Sequence, residues 1–321
     1  MVEEQLAAWA HGLVAPLGRL LISVAAGLLV ANVIEAANWT HGVARLATPF
    51  IRFGRLSETT GASFSLAFFS SIAANSLLAE AHDQGRLSRR ELVLANLLNS
   101  LPTYFLHLPT LFFVALPLLG RTAFIYVGLT LLAAGLRTAG VVLAGRLLLP
   151  AGPDLCLACQ LAGEPSRSWR EIGRRSWQRF RQRIGRVLVW TIPIYSAFFA
   201  LQRLGFFAWL EGQMGRAVSG SSFLQPEAVG IVIFHLAAEI GASLAAAGAL
   251  LQGAALPERQ VVLALLVGNI LSSPMRALRH QLPYYSGIFS PALAGRLVLY
   301  GQVFRAASIV LVALGYGLVT T

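Results

Sequence analysis

Long apolar segments recur along the whole chain and are separated by short connections that carry arginine. A window of about 19 residues, the length of a helix that crosses a bilayer, places eight such segments in the sequence. They lie near 13–37, 61–81, 91–119, 122–149, 187–209, 228–253, 260–292 and 294–319. Because these segments cover most of the length, one membrane anchor on a soluble domain does not account for them. The pattern predicts an all-α polytopic membrane protein.

Prolines interrupt two of these segments. Three prolines fall in each, namely Pro102, Pro109 and Pro117 in segment 91–119 and Pro274, Pro283 and Pro291 in segment 260–292. A proline inside a helix removes one backbone hydrogen bond and clashes with the preceding turn. We therefore expect both segments to break into short helical pieces, which either cross the bilayer as broken helices or turn back as re-entrant hairpins.

The same order of features occurs twice, on either side of an arginine-rich stretch. The matched features are residues 72–77 with 240–244, 90–95 with 259–264, Asn99 with Asn269, and 107–109 with 281–283. Many transporter folds contain such internal repeats. The sequence therefore predicts a first transmembrane repeat at 1–149 and a second at 184–321. An odd number of crossings in each repeat makes them inverted and an even number makes them parallel, and the sequence leaves both open.

Residues 150–183 form the predicted linker between the repeats. The linker is rich in Gly, Pro and Ser at first and then in arginine, and the positive-inside rule assigns it to the cytoplasm. Tryptophan and phenylalanine alternate with the arginines at helical spacing, so this part is either an amphipathic helix on the anionic inner leaflet or a solvated loop. Cys156 and Cys159 form the only CxxC pair, which supplies half of the ligands of a zinc site and leaves that site incomplete within one chain.

Composition agrees with a membrane location and removes several classes of function. Hydrophobic residues make up 56% of the chain and charged residues 12%, with a mean hydropathy of +0.67, whereas soluble domains carry about 25% charged residues. All 25 basic residues are arginine, which excludes chemistry that requires lysine. The net charge of +11 is concentrated in the connections, where it acts as an orientation signal rather than as a nucleic-acid-binding surface. HExxH, GxSxG and GxGxxG motifs are absent, so we predict neither an enzyme nor a cofactor.

Polar side chains inside the apolar segments are the candidate binding residues, because an unsatisfied polar group is costly in lipid. They are Asn75, Ser76, Asn99, His235, Glu239, Ser243, Asn269 and Ser273. His235 and Glu239 are four residues apart and share one face of a helix, which suits a proton or a cation. Arg276 and Arg279 would need a charge partner such as Glu239 or an anionic ligand.

Each of these residues also has a purely structural interpretation. His235 and Glu239 can form a hydrogen-bonded pair that fixes helix packing. Asn99 and Asn269 can cap the ends of broken helices, and buried arginines can extend to the membrane interface. Four more isolated polar residues are interpreted as packing contacts or interface anchors: Glu35, Arg137, Gln302 and Arg305.

Three short motifs add to this pattern: Asn75-Ser76-Leu77-Leu78, Arg-Arg-Glu-Leu at 89–92, and the run from Pro274 to Phe289. Together they resemble the nucleoside-recognition, or Gate-domain, integral membrane proteins of bacteria and archaea. The resemblance covers most of the chain, once per half, and implies the passage of a solute. The family includes parts of nucleoside transporters and the membrane portion of ferrous-iron permeases. The permeases carry cysteines in their membrane helices, and this chain has none there, which disfavours iron.

We therefore expect a multi-pass transport protein of the cell inner membrane. It would move a small polar solute, nucleoside-like or a cation, by alternating access at a midplane site between the repeats. The alternative is a membrane assembly or regulatory protein that binds a partner through the arginine-rich linker. The expected partners are the lipid bilayer and the solute or ion, without nucleic acid, and the sequence is compatible with a homo-oligomer.

Overall fold

The computed structural model describes residues 48–150, 168–206, 224–237 and 240–320, with isolated positions between 14 and 29 and between 209 and 216. These residues are helical almost throughout, and no strand occurs among them. The all-α prediction is confirmed for this part of the chain.

Twelve α-helices and one π-helical turn occur in the described residues. The first seven are α1 (Thr48–Gly54), α2 (Glu58–Leu66), α3 (Ser71–Asp83), α4 (Arg89–Leu98), α5 (Ser100–Leu119), α6 (Thr122–Leu148) and α7 (Trp169–Arg203). The other five are α8 (Pro226–Ala237), α9 (Ile240–Gln252), α10 (Glu258–Arg276), α11 (Leu282–Ile288) and α12 (Pro291–Val319). The π-helical turn Ala277–Gln281 joins α10 to α11.

Three of the described helices are long and apolar enough to cross a membrane. They are α6 with 27 residues, the continuous helix Glu258–Ile288 with 31 and α12 with 29. At about 1.5 Å per residue each is longer than the roughly 30 Å hydrocarbon core. A fourth candidate consists of two helices, Arg89–Pro109 and Leu111–Leu119, that are bent by 51° relative to each other. These lengths are compatible with a multi-pass membrane protein.

The second proline-rich segment differs from the prediction. The helix Glu258–Ile288 continues past Pro274 and Pro283 and widens into the π-helical turn just before Pro283. A π-helical turn shifts the hydrogen-bond register by one residue, which changes the carbonyl that faces the proline ring and lets the helix continue. Pro291 begins α12, where its missing N–H has no helical partner to lose. Short separate pieces are not confirmed for this segment.

One compact unit, unit 1, contains residues 1–103, 138–195 and 284–297. Within it α2 packs against both α3 and α4, around buried side chains that include Phe64, Leu77 and Leu98. Each of these three helices begins after a serine whose hydroxyl accepts a hydrogen bond from the N–H three residues later, namely Ser57, Ser70 and Ser88. Serine is a preferred N-cap for this reason, so local sequence explains where the helices start.

The other compact unit, unit 2, contains residues 104–137, 196–283 and 298–321. Within it α8 packs against both α9 and α10, around a core that includes Ile231, Leu244 and Leu265. Gly268 of α10 permits a close approach, because a Cβ at this position would lie 2.7 Å from the Cβ of His235. A glycine therefore allows α10 to pack directly against the histidine side chain.

The α3–α4 loop and the α9–α10 loop have the same internal hydrogen bonds. Four backbone N–H groups of the first loop donate to backbone carbonyls: Gln84 donates to Glu80, Gly85 to His82, and both Arg86 and Leu87 to Ala81. In the second loop Gly253 donates to Ala249, Ala254 to Leu251, and both Ala255 and Leu256 to Leu250. Every residue number in the second set is 169 higher than its counterpart in the first. The φ angle is positive at the same place, 72° at Gly85 and 53° at Ala254.

Neither unit coincides with one predicted repeat. Unit 1 includes 284–297 from the second half, and unit 2 includes 104–137 from the first half. The repeat boundaries at 149 and 184 stay predictions. Cys156 and Cys159 of the predicted linker lie outside the described residues. Its arginine-rich part is helical from Trp169, the first residue of α7.

Candidate functional site

The structure divides the predicted binding residues between its two units. Unit 1 contains Asn75, Ser76 and Asn99, and unit 2 contains His235, Ser243, Asn269, Ser273, Arg276 and Arg279. Glu239 lies outside the described residues. The predicted pairing of this carboxylate with His235 therefore stays a prediction.

Two asparagines and two tyrosines, of which all but Tyr284 are buried, form a cluster in unit 1. Asn96 of α4 donates one hydrogen bond to Asn75 Oδ1 (2.8 Å) and another to the Tyr285 hydroxyl (3.0 Å). Asn75 of α3 in turn donates to the Tyr284 hydroxyl over 3.3 Å. The two tyrosine rings meet edge to face at 4.7 Å. This asparagine–tyrosine cluster joins α3, α4 and α11 through groups that can both donate and accept hydrogen bonds.

Asn99 lies at the C-cap of α4, but its side chain is directed to a different helix. Its Nδ2 donates to Ser63 Oγ over 2.7 Å, and that serine hydroxyl donates to the Ala74 carbonyl over 3.1 Å. Both Asn99 Oδ1 and the hydroxyl of Ser76 are buried and have no hydrogen-bond partner among the described residues. Asn99 therefore occupies the capping position that its structural interpretation predicts. Its side chain in addition links α4 to α2.

His235 is buried in unit 2 with an exposed fraction of 2%. The hydroxyl of Ser243 lies 3.2 Å from the Ile231 carbonyl and 3.1 Å from His235 Nδ1. If the Ser243 hydroxyl donates its proton to the Ile231 carbonyl, the serine oxygen accepts a hydrogen bond from the protonated Nδ1 of His235. The other ring nitrogen, Nε2, then carries no proton and is an acceptor. That nitrogen is buried and has no hydrogen-bond partner among the described residues. The structure thus brings two of the predicted residues, His235 and Ser243, into direct contact.

Asn269 connects three long helices. Its Oδ1 accepts a hydrogen bond from Arg305 Nη2 over 3.2 Å, and its Nδ2 donates to the Tyr126 hydroxyl over 3.3 Å. The three residues belong to α10, α12 and α6 respectively. The tyrosine is fully buried. Asn269 is therefore the centre of a buried polar network rather than a helix cap.

Ser273 begins a second polar link between α10 and α12. Its hydroxyl donates to Gln302 Oε1 over 2.6 Å, and Gln302 Nε2 donates to Gln281 Oε1 over 3.3 Å. Gln281 is the last residue of the π-helical turn. The widened turn therefore places a side-chain amide in contact with the neighbouring helix.

Arginines accompany this network in unit 2. Arg276, which the sequence predicts to need a charge partner, makes no hydrogen bond or ion pair with a described residue. Its positive charge interacts unfavourably with that of Arg305. Arg137 also lies within electrostatic range of Arg305 and donates to the Ser308 hydroxyl over 3.4 Å. Arg279 has polar contacts of its own. No group of three or more His, Cys, Asp or Glu side chains that could hold a metal occurs in the described residues.

Sequence reasoning missed some members of these clusters. The sequence interpretation treats Arg305 and Arg137 as packing contacts or interface anchors, and both do contact a neighbouring helix. Their place near the middle of an apolar helix is in addition a signal for function. In the sequence, Tyr284 and Tyr285 stand out only as part of the run from Pro274 to Phe289. No local pattern places either tyrosine beside Asn75, because the partners are more than two hundred residues apart in the chain.

Comparisons with known proteins identify distant relatives. The chain is 25% identical over 287 residues to the uncharacterized protein MJ0871 of Methanocaldococcus jannaschii, covering 88% of this chain and 87% of that protein. It is 24% identical over 278 residues to the uncharacterized protein MJ1556 of the same organism, covering 82% of each. No family model and no solved structure matches. The similarity extends over most of the length of each protein.

Proposed function

We propose that this chain is a multi-pass membrane transport protein that moves a small polar solute. The observation that carries the proposal is the polar contact between two membrane-length helices, α10 and α12. Asn269 and Ser273 on α10 bond to Arg305 and Gln302 on α12, well inside both helices. Apolar side chains alone can pack two helices in lipid, whereas polar and ionisable groups at that depth are costly and commonly mark a solute pathway.

The matched loops support internal duplication. Four backbone hydrogen bonds of the first loop recur in the second loop with a constant offset of 169 residues in the chain. A side chain also repeats its role, because Glu91 Oε1 accepts from the Ser57 N–H and Gln260 Oε1 accepts from the Gln225 N–H. We infer two repeats at 1–149 and 184–321, with transport by alternating access of one repeat against the other.

The polar residues of the described helices limit the chemical class of the transported solute. The asparagine–tyrosine cluster of unit 1 offers amides and hydroxyls, which suit the hydroxyl groups and base edges of a nucleoside-like solute. A cation would rely on His235 and Glu239, and it would be repelled by Arg276 and Arg305. The described residues therefore favour a hydrogen-bonding solute over a cation. The resemblance to Gate-domain proteins agrees with this choice.

The proposal is tested by binding and flux together. Purified protein in detergent is heated with nucleosides, divalent cations and small anions, because a ligand that binds the native state raises the midpoint of unfolding. The solute that shifts the midpoint is then used in a counterflow assay with proteoliposomes. Asn269→Ala should reduce both signals at least tenfold in apparent affinity, while Gln178→Ala, an exposed amide on α7, should leave them unchanged. Absence of binding and flux for every class would refute the transport proposal.

One feature favours the assembly alternative and defines its test. Trp169 and Trp177 of α7 are exposed, at 67% and 54%, on a helix whose first half is rich in arginine. A partner protein or the inner leaflet would cover such a surface. Deleting 160–180 should leave flux intact if the chain is a transporter located in the inner membrane with this linker in the cytoplasm. Loss of a captured partner with no measurable flux would favour the assembly role.

A further inference from the structure

Each of the three membrane-length helices carries one arginine far from both of its ends. Arg137 lies 15 residues after the start of α6, Arg276 lies 18 residues after the start of Glu258–Ile288, and Arg305 lies 14 residues after the start of α12. The nearer helix end is at least 11 residues away in every case, which is about 16 Å at 1.5 Å per residue. That is about half of the hydrocarbon core and more than an arginine side chain can span by extending to the interface.

These three arginines lie in one compact unit, and their charges interact electrostatically. All three lie in unit 2, and the charges of Arg276 and Arg137 both act on that of Arg305. The only carboxylate in the three helices is Glu258, at the first residue of α10. It accepts a hydrogen bond from Thr122 (2.8 Å) and lies 3.6 Å from Arg121. The helices themselves therefore provide no negative charge at the depth of the three arginines.

The hydrogen bonds around the arginines leave donors in excess. Asn269 Oδ1 and the Tyr126 hydroxyl oxygen are both occupied as acceptors. A guanidinium has five N–H donors, of which Arg305 uses one on Asn269. Neither Arg276 nor the Tyr126 O–H donates to a described residue. Positive charge, donors that no described residue uses and the lack of an acid at this depth within the three helices are together complementary to an anion that accepts several hydrogen bonds.

We propose that Arg276 and Arg305, in the field of Arg137, bind an oxyanion group of the transported solute, a carboxylate or a phosphate. A guanidinium group matches a carboxylate or a phosphate because two oxygens of either group can accept two parallel N–H hydrogen bonds from it. The inference rests on the proposed transport function and narrows its substrate to anionic solutes. The phosphate of a lipid headgroup has the same chemistry, but it lies at the interface, half a membrane away from the arginines.

The test uses the full-length protein in phosphatidylcholine nanodiscs at constant ionic strength. The unfolding midpoint is measured against phosphate, succinate and sulfate, with chloride as the balancing ion. We expect the midpoint to rise with the logarithm of oxyanion concentration. Arg276→Gln and Arg305→Gln should each weaken the apparent affinity about tenfold to a hundredfold, as expected for loss of a charge-assisted bond. Arg296→Gln is the matched control, because this exposed arginine lies on the same helix, α12.

Stability without ligand gives a second, independent readout. If the arginines await an anion, they repel one another in the empty protein, so Arg276→Gln should raise the unfolding midpoint in chloride alone. If Glu239 neutralises them within the protein, the same substitution should lower the midpoint. An oxyanion response that appears only in Glu239→Gln would likewise overturn the proposal. A response that requires phosphatidylglycerol in the nanodisc and ignores soluble oxyanions would assign the arginines to a lipid and also overturn it.

Failure of this inference is distinguishable from failure of the transport proposal. A neutral nucleoside that binds and is carried by the protein, in an Asn269-dependent way and without any response to oxyanions, would refute the anionic substrate and leave transport standing. Oxyanion binding without flux in proteoliposomes would support the site and refute transport.

Discussion

Replacing Gly268 with alanine is the sharpest test of the packing around His235. The new Cβ would lie 2.7 Å from His235 Cβ, 2.8 Å from its Cγ and 2.9 Å from its Nδ1, whereas ordinary contact begins at 3.4 Å. The imidazole must therefore retreat by about 0.7 Å, which stretches its 3.1 Å contact with Ser243 beyond the range of a hydrogen bond.

The expected loss of stability follows from three contributions. Overpacking costs about 1–3 kcal/mol, and the stretched hydrogen bond costs about 1 kcal/mol. Exchange of glycine for alanine in a helix returns up to about 1 kcal/mol. Gly268→Ala should therefore destabilise the protein by about 1–3 kcal/mol. The measurement is the midpoint of unfolding in detergent, by heat or by titration with sodium dodecyl sulfate.

Two controls separate these contributions. Gly301→Ala on α12 meets no atom within 4 Å and should be neutral or stabilising by up to about 1 kcal/mol. Ser243→Ala removes the histidine's partner, so Gly268→Ala should cost about 1 kcal/mol less in that background than alone. A Gly268→Ala protein as stable as Gly301→Ala would refute the close packing of α10 on His235.

Five further substitutions test three other parts of the structure by the same unfolding measurement. Ala254→Gly should stabilise the protein by about 1 kcal/mol because glycine adopts the positive φ of that loop without strain. Gly85→Ala should destabilise it by a similar amount for the same reason. If both substitutions changed the stability in the same direction, the loop conformation would be contradicted. Gly145→Ala would place a Cβ 2.5 Å from a carbonyl oxygen of α1 and should cost about 1–3 kcal/mol, whereas Gly140→Ala on the same helix meets nothing within 4 Å and should not destabilise. Asn96→Leu leaves two buried partners without a donor and should cost about 2–4 kcal/mol; a change below about 0.5 kcal/mol would show that the asparagine–tyrosine cluster does not hold α3, α4 and α11 together.

Proline and the broken segments show where sequence reasoning reached its limit. Three prolines in segment 260–292 predicted short pieces, yet the helix runs unbroken from Glu258 to Ile288. A proline's cost is local and can be read from sequence, but the remedy is a π-helical turn at Ala277–Gln281. Whether the helix widens or breaks depends on the helices packed around it, which no pattern along the chain records.

The sequence by itself determined the properties that depend on neighbours along the chain. Apolar runs of sufficient length predict α6, α10 and α12, serine caps set the starts of α2, α3 and α4, and scarce polar residues inside apolar segments mark Asn75, Asn269 and Arg276 as unusual. These conclusions follow because helix formation and hydropathy act over one turn or one segment.

Only the tertiary structure decided which of these polar residues meet. Asn269 contacts Tyr126 and Arg305, and Asn75 contacts Tyr284, across separations of 143, 36 and 209 residues. Helical periodicity relates residues three or four positions apart and carries no information about which helices become neighbours. That choice is made by the fit of side chains in the core, such as the close approach of α10 to His235 at Gly268, and it converts scattered arginines and amides into a candidate binding site.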